Sequence, residues 1–294
     1  MGKEITPLIS RRQAILSFAT IGAGALITPH SIFGVSNAKD KIRFAIVGDV
    51  GTGDGDQIRT ANQMAAQHSK GAFDLVIAAG DNIYPNGSGK YFERHFEQPF
   101  SSLLRDRVNF YAVLGNHDVK SGREDQNQYA LFNMKGRNYY TIKQGDGLAE
   151  FFMLDSTDFD NVQAAWLEDA LKKSTAKWKI AVFHHPIYSS GTKHGSDMRL
   201  RRQVEPLLTK YGVKAVFSGH DHIYERTKPQ NGIQYFVTGA GGQCRRGDVN
   251  LRSDFRAVSY DEDNHFMVVE IDDKRISFQA ICENGSILDS GIVK

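Results

Sequence analysis

Cysteine is nearly missing from this 294-residue chain: Cys244 and Cys282 are its whole complement, and neither lies in a Cys-x-x-Cys pair or at a metal-ligand spacing. That excludes a thiolate zinc site and a thioredoxin-type redox motif. The two thiols either pair in an oxidising compartment or serve as small buried apolar residues, and neither reading makes them catalytic. Net charge is scarce too. Lys and Arg number 36 against 34 Asp and Glu. Residues 1–38 hold Lys3, Arg11 and Arg12 against Glu4, so the remainder is formally neutral. Its basic residues are scattered and form no stripe that could displace counterions from a nucleic acid, so nucleic acid is not an expected partner. No internal repeat, low-complexity tract or linker divides residues 39–294, which read as one domain.

Long apolar runs are lacking as well. The run Ala14–Thr28 is shorter than the roughly 20 residues that span a bilayer. It follows a pair of arginines in Ser10-Arg11-Arg12-Gln13-Ala14-Ile15-Leu16, the arrangement of a twin-arginine export signal, whose pathway carries already folded proteins. Ser36-Asn37-Ala38 supplies small residues for cleavage. The expectation is cleavage after Ala38, the twin-arginine export machinery as a partner, and a mature protein in the periplasm or extracellular space, or in a thylakoid lumen. No stable membrane insertion is expected afterwards. The competing reading is an uncleaved anchor or a buried N-terminal helix.

What is present from Ile42 onward is a succession of short apolar runs, several followed by segments with helical spacing. Strands are expected over Ile42–Gly48, Leu75–Gly80, Asn109–Leu114, Glu150–Leu154, Lys179–Phe183, Ala215–Gly219 and Gln234–Thr238. Most are largely apolar, as in strands buried on both faces. Helices are expected over Gln57–Gln67, Tyr91–Leu104, Val162–Lys173 and Met198–Lys210. Val162, Ala165, Trp166, Leu167, Ala170 and Leu171 form an amphipathic stripe on the third. After Gly239 the pattern becomes alternating: His265–Ile271, Ile276–Ile281 and Ile287–Val293, separated by Asp272-Asp273 and Asn284-Gly285, read as an antiparallel meander. The fold class is α/β or mixed α+β, with two packed sheets and helices outside.

The informative residues stand where the strands stop. The first ends in Asp49-Val50-Gly51, the second in Asp81-Asn82-Ile83-Tyr84, the third in Gly115-Asn116-His117-Asp118. Two later strands end in His184-His185 and His220-Asp221-His222. In open α/β sheets that edge is where ligands bind. A lone Asp-x-Gly is a common turn, and a lone strand-end His is commonly a satisfied polar residue. Five such motifs after apolar strands desolvate too many ionisable groups without a metal. Oxygen and imidazole donors without cysteine suit iron, zinc or manganese. A carboxylate that can bridge, with the pair His220 and His222, points to two ions, about 3.5–4 Å apart in sites of this kind.

Asp-x-Gly, Gly-Asp-x-x-Tyr, Gly-Asn-His-Asp, a strand-end His and Gly-His-x-His, in this order, resemble the five-part signature of the calcineurin-like metallophosphoesterases. Tyr84 is similar to the tyrosine ligand of the purple acid phosphatases, and Thr238-Gly239-Ala240-Gly241-Gly242 resembles the Gly-Ala-Gly turn of their small mammalian-type members. The resemblance implies a four-layer sandwich. It implies a ferric ion on Asp49, Tyr84 and His222, a divalent ion (iron, zinc or manganese) on Asn116, His184 and His220, and Asp81 as the bridge. With cleavage after Ala38 it also implies no additional N-terminal β domain of the large plant-type kind.

Two cations would neutralise a phosphomonoester dianion and generate the attacking metal-bound hydroxide. His117 and His194 resemble the family's histidines that contact phosphate and assist the leaving group. The implied activity is acid hydrolysis of small phosphate monoesters. The alternatives are a phosphodiesterase or nucleotidase of the same superfamily, and a metal- or phosphate-binding protein without turnover. His185, on the opposite side of its strand from His184, reads as packing or as support behind the ligands, not as a ligand itself. His68, His95 and His265 read as surface or satisfied histidines, and Asp118, Asp155 and Asp221 as structural carboxylates. Substrate choice is expected in the loops Asn86–Lys90, Lys120–Gln128 and Ser189–Asp197.

Overall fold

A computed structural model describes residues 41–293; the expected export signal and its cleavage site lie outside them. In chain order the elements are β1 (Ile42–Val47), α1 (Gly55–Lys70), β2 (Leu75–Ala78), α2 (Ser101–Arg105), β3 (Asn109–Ala112), α3 (Arg123–Gln128), β4 (Tyr140–Gln144), β5 (Ala149–Met153) and α4 (Asn161–Lys173). There follow β6 (Trp178–Val182), α5 (Met198–Lys210), β7 (Ala215–Ser218), β8 (Tyr224–Thr227), β9 (Gln234–Thr238), β10 (Arg256–Tyr260), β11 (His265–Ile271), β12 (Ile276–Cys282) and β13 (Ile287–Val293).

Two mixed sheets result. One has the order β13-β12-β11-β1-β2-β3, the other β10-β8-β9-β7-β6-β5-β4. Each has a parallel heart, β1-β2-β3 and β5-β6-β7-β9, flanked by antiparallel strands. The alternation of side chains along a strand assigns the layers. Phe151 faces the other sheet, its ring 5.1 Å from Phe44 of β1, and Phe236 meets Phe278 at 4.8 Å. Phe152 points the other way, into a cluster with Leu167 and Leu171 of α4 and Leu200, Val204 and Leu208 of α5. Helix starts are capped by acidic side chains: Asp54 accepts from Asp56 N and Gln57 N, Asp160 from Gln163 N, and Asp197 from Arg199 N and Leu200 N. Among the described residues no helix is long and apolar enough to cross a membrane.

The expected strands and the final meander are present, β1, β2, β3, β5, β6 and β7 stopping a residue or two early and β9 ending at Thr238 as expected. Three strands were not expected: β4, β8 and β10, which are short, mixed in polarity and antiparallel. The expected single helix Tyr91–Leu104 is instead a 3₁₀ turn (Gly89–Tyr91), a π-helical turn (Glu93–Glu97) and α2. Pro99 explains the break: it has no N–H to give the carbonyl of His95, and that carbonyl accepts from Gln57 Nε2 at 2.6 Å instead. Val162 stays exposed at the first turn of α4, so the buried stripe there is carried by Leu167 and Leu171. Both cysteines are free thiols, Cys282 buried and Cys244 partly so.

Candidate metal centre

The loops that follow β1, β2, β3, β6 and β7 converge on one edge. Backbone hydrogen bonds join them: Asp49 N donates to Gly80 O, Gly219 N to His184 O, and Gly48 N to Thr238 O across the two sheets. The turn Gly239–Gly242 backs this arrangement, with Gly241 N and Gly242 N donating to Gly48 O and Asp49 O. Three expected donors adopt left-handed backbone, Asp49 (φ 55°), Asp81 (φ 49°) and His220 (φ 71°). L-residues avoid that region by on the order of 1 kcal/mol each, and here it turns the side chains over the strand ends. The glycine of Gly-Asn-His is dictated by proximity, since a Cβ on Gly115 would overlap Asp81 Oδ1.

The side chains fall into two sets. Tyr84 Oη lies 3.1 Å from Asp49 Oδ1, 3.1 Å from Asp81 Oδ2 and 3.3 Å from His222 Nε2, and His222 Nε2 lies 3.5 Å from Asp49 Oδ1. On the other side, His184 Nε2 lies 3.1 Å from Asn116 Oδ1 and 3.3 Å from His220 Nδ1. Asp81 reaches both, its Oδ2 toward Tyr84 and its Oδ1 3.6 Å from His184 Nε2. Two backbone donors hold the carboxylates: His117 N to Asp81 Oδ1 and His220 N to Asp49 Oδ2, each at 2.7 Å.

The chemistry of this donor set calls for cations. His184 Nδ1 is 3.0 Å from Ala79 O. A carbonyl only accepts, so the proton is on Nδ1 and the Nε2 lone pair faces Asn116 Oδ1 and Asp81 Oδ1. One phenol proton cannot serve both carboxylate oxygens beside Tyr84. Burial, reinforced by the Asp81 charge, raises the Asp49 carboxyl well above its usual range, and burial followed by Asp49 and Asp81 raises the Tyr84 phenol. Burial, then His185, holds the His184 imidazole neutral; burial, then Arg245, lowers His222 to about 4. Positive ions reverse the penalty on the acids and take the lone pairs of the neutral imidazoles.

Other residues frame the centre. Buried Asp118 accepts from Asn82 N, Ile83 N, Gly115 N and Gln126 Nε2, tying the Asp81 loop to the Asn116 loop. Its carboxyl is raised to about 7 by burial and then by Asp81. Asp221 accepts from Ser189 Oγ and Gly195 N, and Asp155 from Arg123 and Thr157. His117 packs its ring 4.6 Å from Tyr84, with Lys120 Nζ 3.0 Å from its Nδ1. Exposed His194 lies 4.2 Å, ring to ring, from His220.

His185 takes the supporting place of the two expected for it: β6 stops at Val182, strand alternation no longer applies, and its ring lies 4.5 Å from His220. The signal available was the tandem His184-His185 itself. His68 and His95 are satisfied, by Phe73 N and Gly51 O. His265 is not: it is fully buried and neither ring nitrogen has a hydrogen-bond partner of good geometry.

Two mixed sheets with helices outside and carboxylate, amide, phenol and imidazole donors at their joined edge define a metallophosphoesterase. The family model for calcineurin-like phosphoesterases matches residues 42–224. Purple acid phosphatase 17 of Arabidopsis thaliana is 32% identical over 241 residues, 71% of each chain. Tartrate-resistant acid phosphatase type 5 of Homo sapiens is 28% identical over 308 residues, 90% of this chain and 93% of that one. Among solved structures, purple acid phosphatase PPD1 from yellow lupin seeds has a TM-score of 0.72 at 19% identity, over 86% of this chain and 53% of that longer one. The chain belongs to the calcineurin-like phosphoesterase family, as an enzyme related to the purple and tartrate-resistant acid phosphatases.

Proposed function

We propose that the protein hydrolyses phosphate monoesters at a pair of metal ions, ferric iron on Asp49, Tyr84 and His222 and a divalent ion on Asn116, His184 and His220, with Asp81 shared. The observation that carries this reading is the division of donors into two sets with one Asp81 oxygen turned to each. When bound, the ions would supply neutralisation of the phosphate charge and an activated water as nucleophile. The chain's own residues do the rest. His117 N and His220 N fix the carboxylates so that their oxygens stay aimed at the centre. Lys120 stands at the Tyr84 side as a donor for phosphate oxygens, and His117, whose Nδ1–H is taken by Pro85 O at 2.8 Å, joins it through Nε2–H when it is the imidazolium. His194, at the opposite side against His220, is placed to give a proton to the departing alkoxide.

Export through the twin-arginine route belongs to the same proposal, since folding around metals precedes that passage. The test of the activity is metal analysis with a visible spectrum, alongside hydrolysis of a phosphate monoester and a diester. Two ions per chain, a visible charge-transfer band and preference for the monoester are expected. A protein that turns over only the diester, or retains full activity with a single ion, would sink the reading.

A further inference from the structure

We propose that His185 contacts the substrate, donating its Nε2–H to a phosphate oxygen in the cavity beside the divalent half of the centre. The inference rests on the phosphatase reading above. The consecutive histidines have different partners on Nδ1, a carbonyl for His184 and a hydroxyl for His185. His184 spends its proton on Ala79 O and keeps the Nε2 lone pair for the centre. His185 has Nδ1 2.9 Å from Ser156 Oγ, and the same oxygen accepts the His185 backbone N–H at 3.0 Å. With one lone pair of that oxygen used by the backbone N–H, we take the hydroxyl as the donor to Nδ1, which leaves the imidazole proton on Nε2.

His185 lines a cavity of about 330 Å³ shared with Lys193, His194, Ser196, Asp197 and His220. The ring is held 4.5 Å from His220 and 5.0 Å from His184. A neutral N–H donor, an ammonium and a second imidazole around one opening suit an oxyanion. The competing role is a third metal ligand, because donor atoms of His184, His185 and His220 lie within 4.8 Å of one another. Under that role the Nε2 proton would have to be absent.

His185→Phe keeps an aromatic ring and deletes the donor. In the metal-loaded enzyme, KM for a monoester and the inhibition constant of inorganic phosphate should rise about tenfold to a hundredfold, the span of a hydrogen bond to a charged group. Two ions per chain and the visible spectrum should be unchanged. His185→Gln, which retains an N–H, should recover most of the loss. Ser156→Ala, which removes the hydroxyl that sets the tautomer, should weaken phosphate inhibition without altering the metals. Loss of one ion in His185→Phe would make the residue a ligand and overturn the proposal. Phosphate inhibition within about twofold of native in His185→Phe, or in Ser156→Ala if His185→Phe does not fold, would also overturn it. Wild-type protein without two ions or without turnover sinks the phosphatase reading first, and the inference falls with it.

Discussion

Asp81 meets two sets of donors with two different oxygens, and its backbone is held in a left-handed conformation to do so. Removing a carboxylate shared by two ions should weaken both sites together. Asp81→Ala should bind fewer than two ions per chain and lose at least about a hundredfold in kcat/KM, since metal charge stabilisation is worth several kcal/mol. Native metal counts and kinetics in that variant would refute the sharing. Tyr84 is the residue that separates this centre from a generic carboxylate and imidazole site. Its phenol sits among Asp49, Asp81 and His222, and a phenolate on ferric iron absorbs visible light. Tyr84→Phe should bleach that band with the fold retained, and some turnover should survive because Asp49 and His222 remain. An unchanged spectrum in Tyr84→Phe would return Tyr84 to the role of a buried, hydrogen-bonded tyrosine.

Elements position these residues through a few side chains that replace missing backbone bonds. The broken helix before α2 is the clearest case. Pro99 frees the His95 carbonyl, and Gln57 of α1 answers with its Nε2 while its Oε1 accepts from Gly53 N at 2.7 Å. One buried amide therefore pins the loop after Asp49 to the π-helical turn. Gln57→Leu keeps the bulk and orphans both groups, so stability should fall by about 1–3 kcal/mol per orphan, read by chemical denaturation. A change below about 0.5 kcal/mol would show that both groups find other partners.

At the scale of the whole molecule, buried acids outside the centre make stability depend on pH. Glu225 of β8 is fully buried, accepts from Ser190 N at 2.6 Å, and is raised by burial from 4.5 to about 7. Its folded form thus takes up a proton that the unfolded chain has released. The contribution is fully present below pH 4.5 and is lost as pH rises through about 7. Glu225→Gln should flatten the decline in stability between those values by on the order of 2–3 kcal/mol, measured by unfolding at pH 5 and pH 8. An equal decline in both proteins would assign the dependence elsewhere. The export proposal is tested on the full chain: Arg11→Lys with Arg12→Lys should hold the protein inside the cell, because the signal reads guanidinium pairs rather than charge. Cell fractionation decides it, and undiminished export would point to the general secretory route.

Buried parallel strands announce themselves as apolar runs, and polar residues that stop them are conspicuous, so Asp49, Asp81, Asn116, His184 and His220 were legible as a set from the chain alone. The family and the two-sheet architecture followed from that order. The short antiparallel strands β4, β8 and β10 carried no such contrast, and the helix around Pro99 kept its periodicity although its hydrogen bonding changed. The direction of a side chain past a strand end was not legible either. It depends on the local φ, as at Asp49, Asp81 and His220, and on which neighbour takes the backbone N–H. For that reason the sequence by itself determined which donors stand at the edge and, through the family resemblance, the two sets expected of them, whereas only the tertiary structure decided which backbone N–H groups hold the carboxylates between those sets. It also decided that His185 shares their cavity, because those outcomes depend on contacts between segments far apart in the chain.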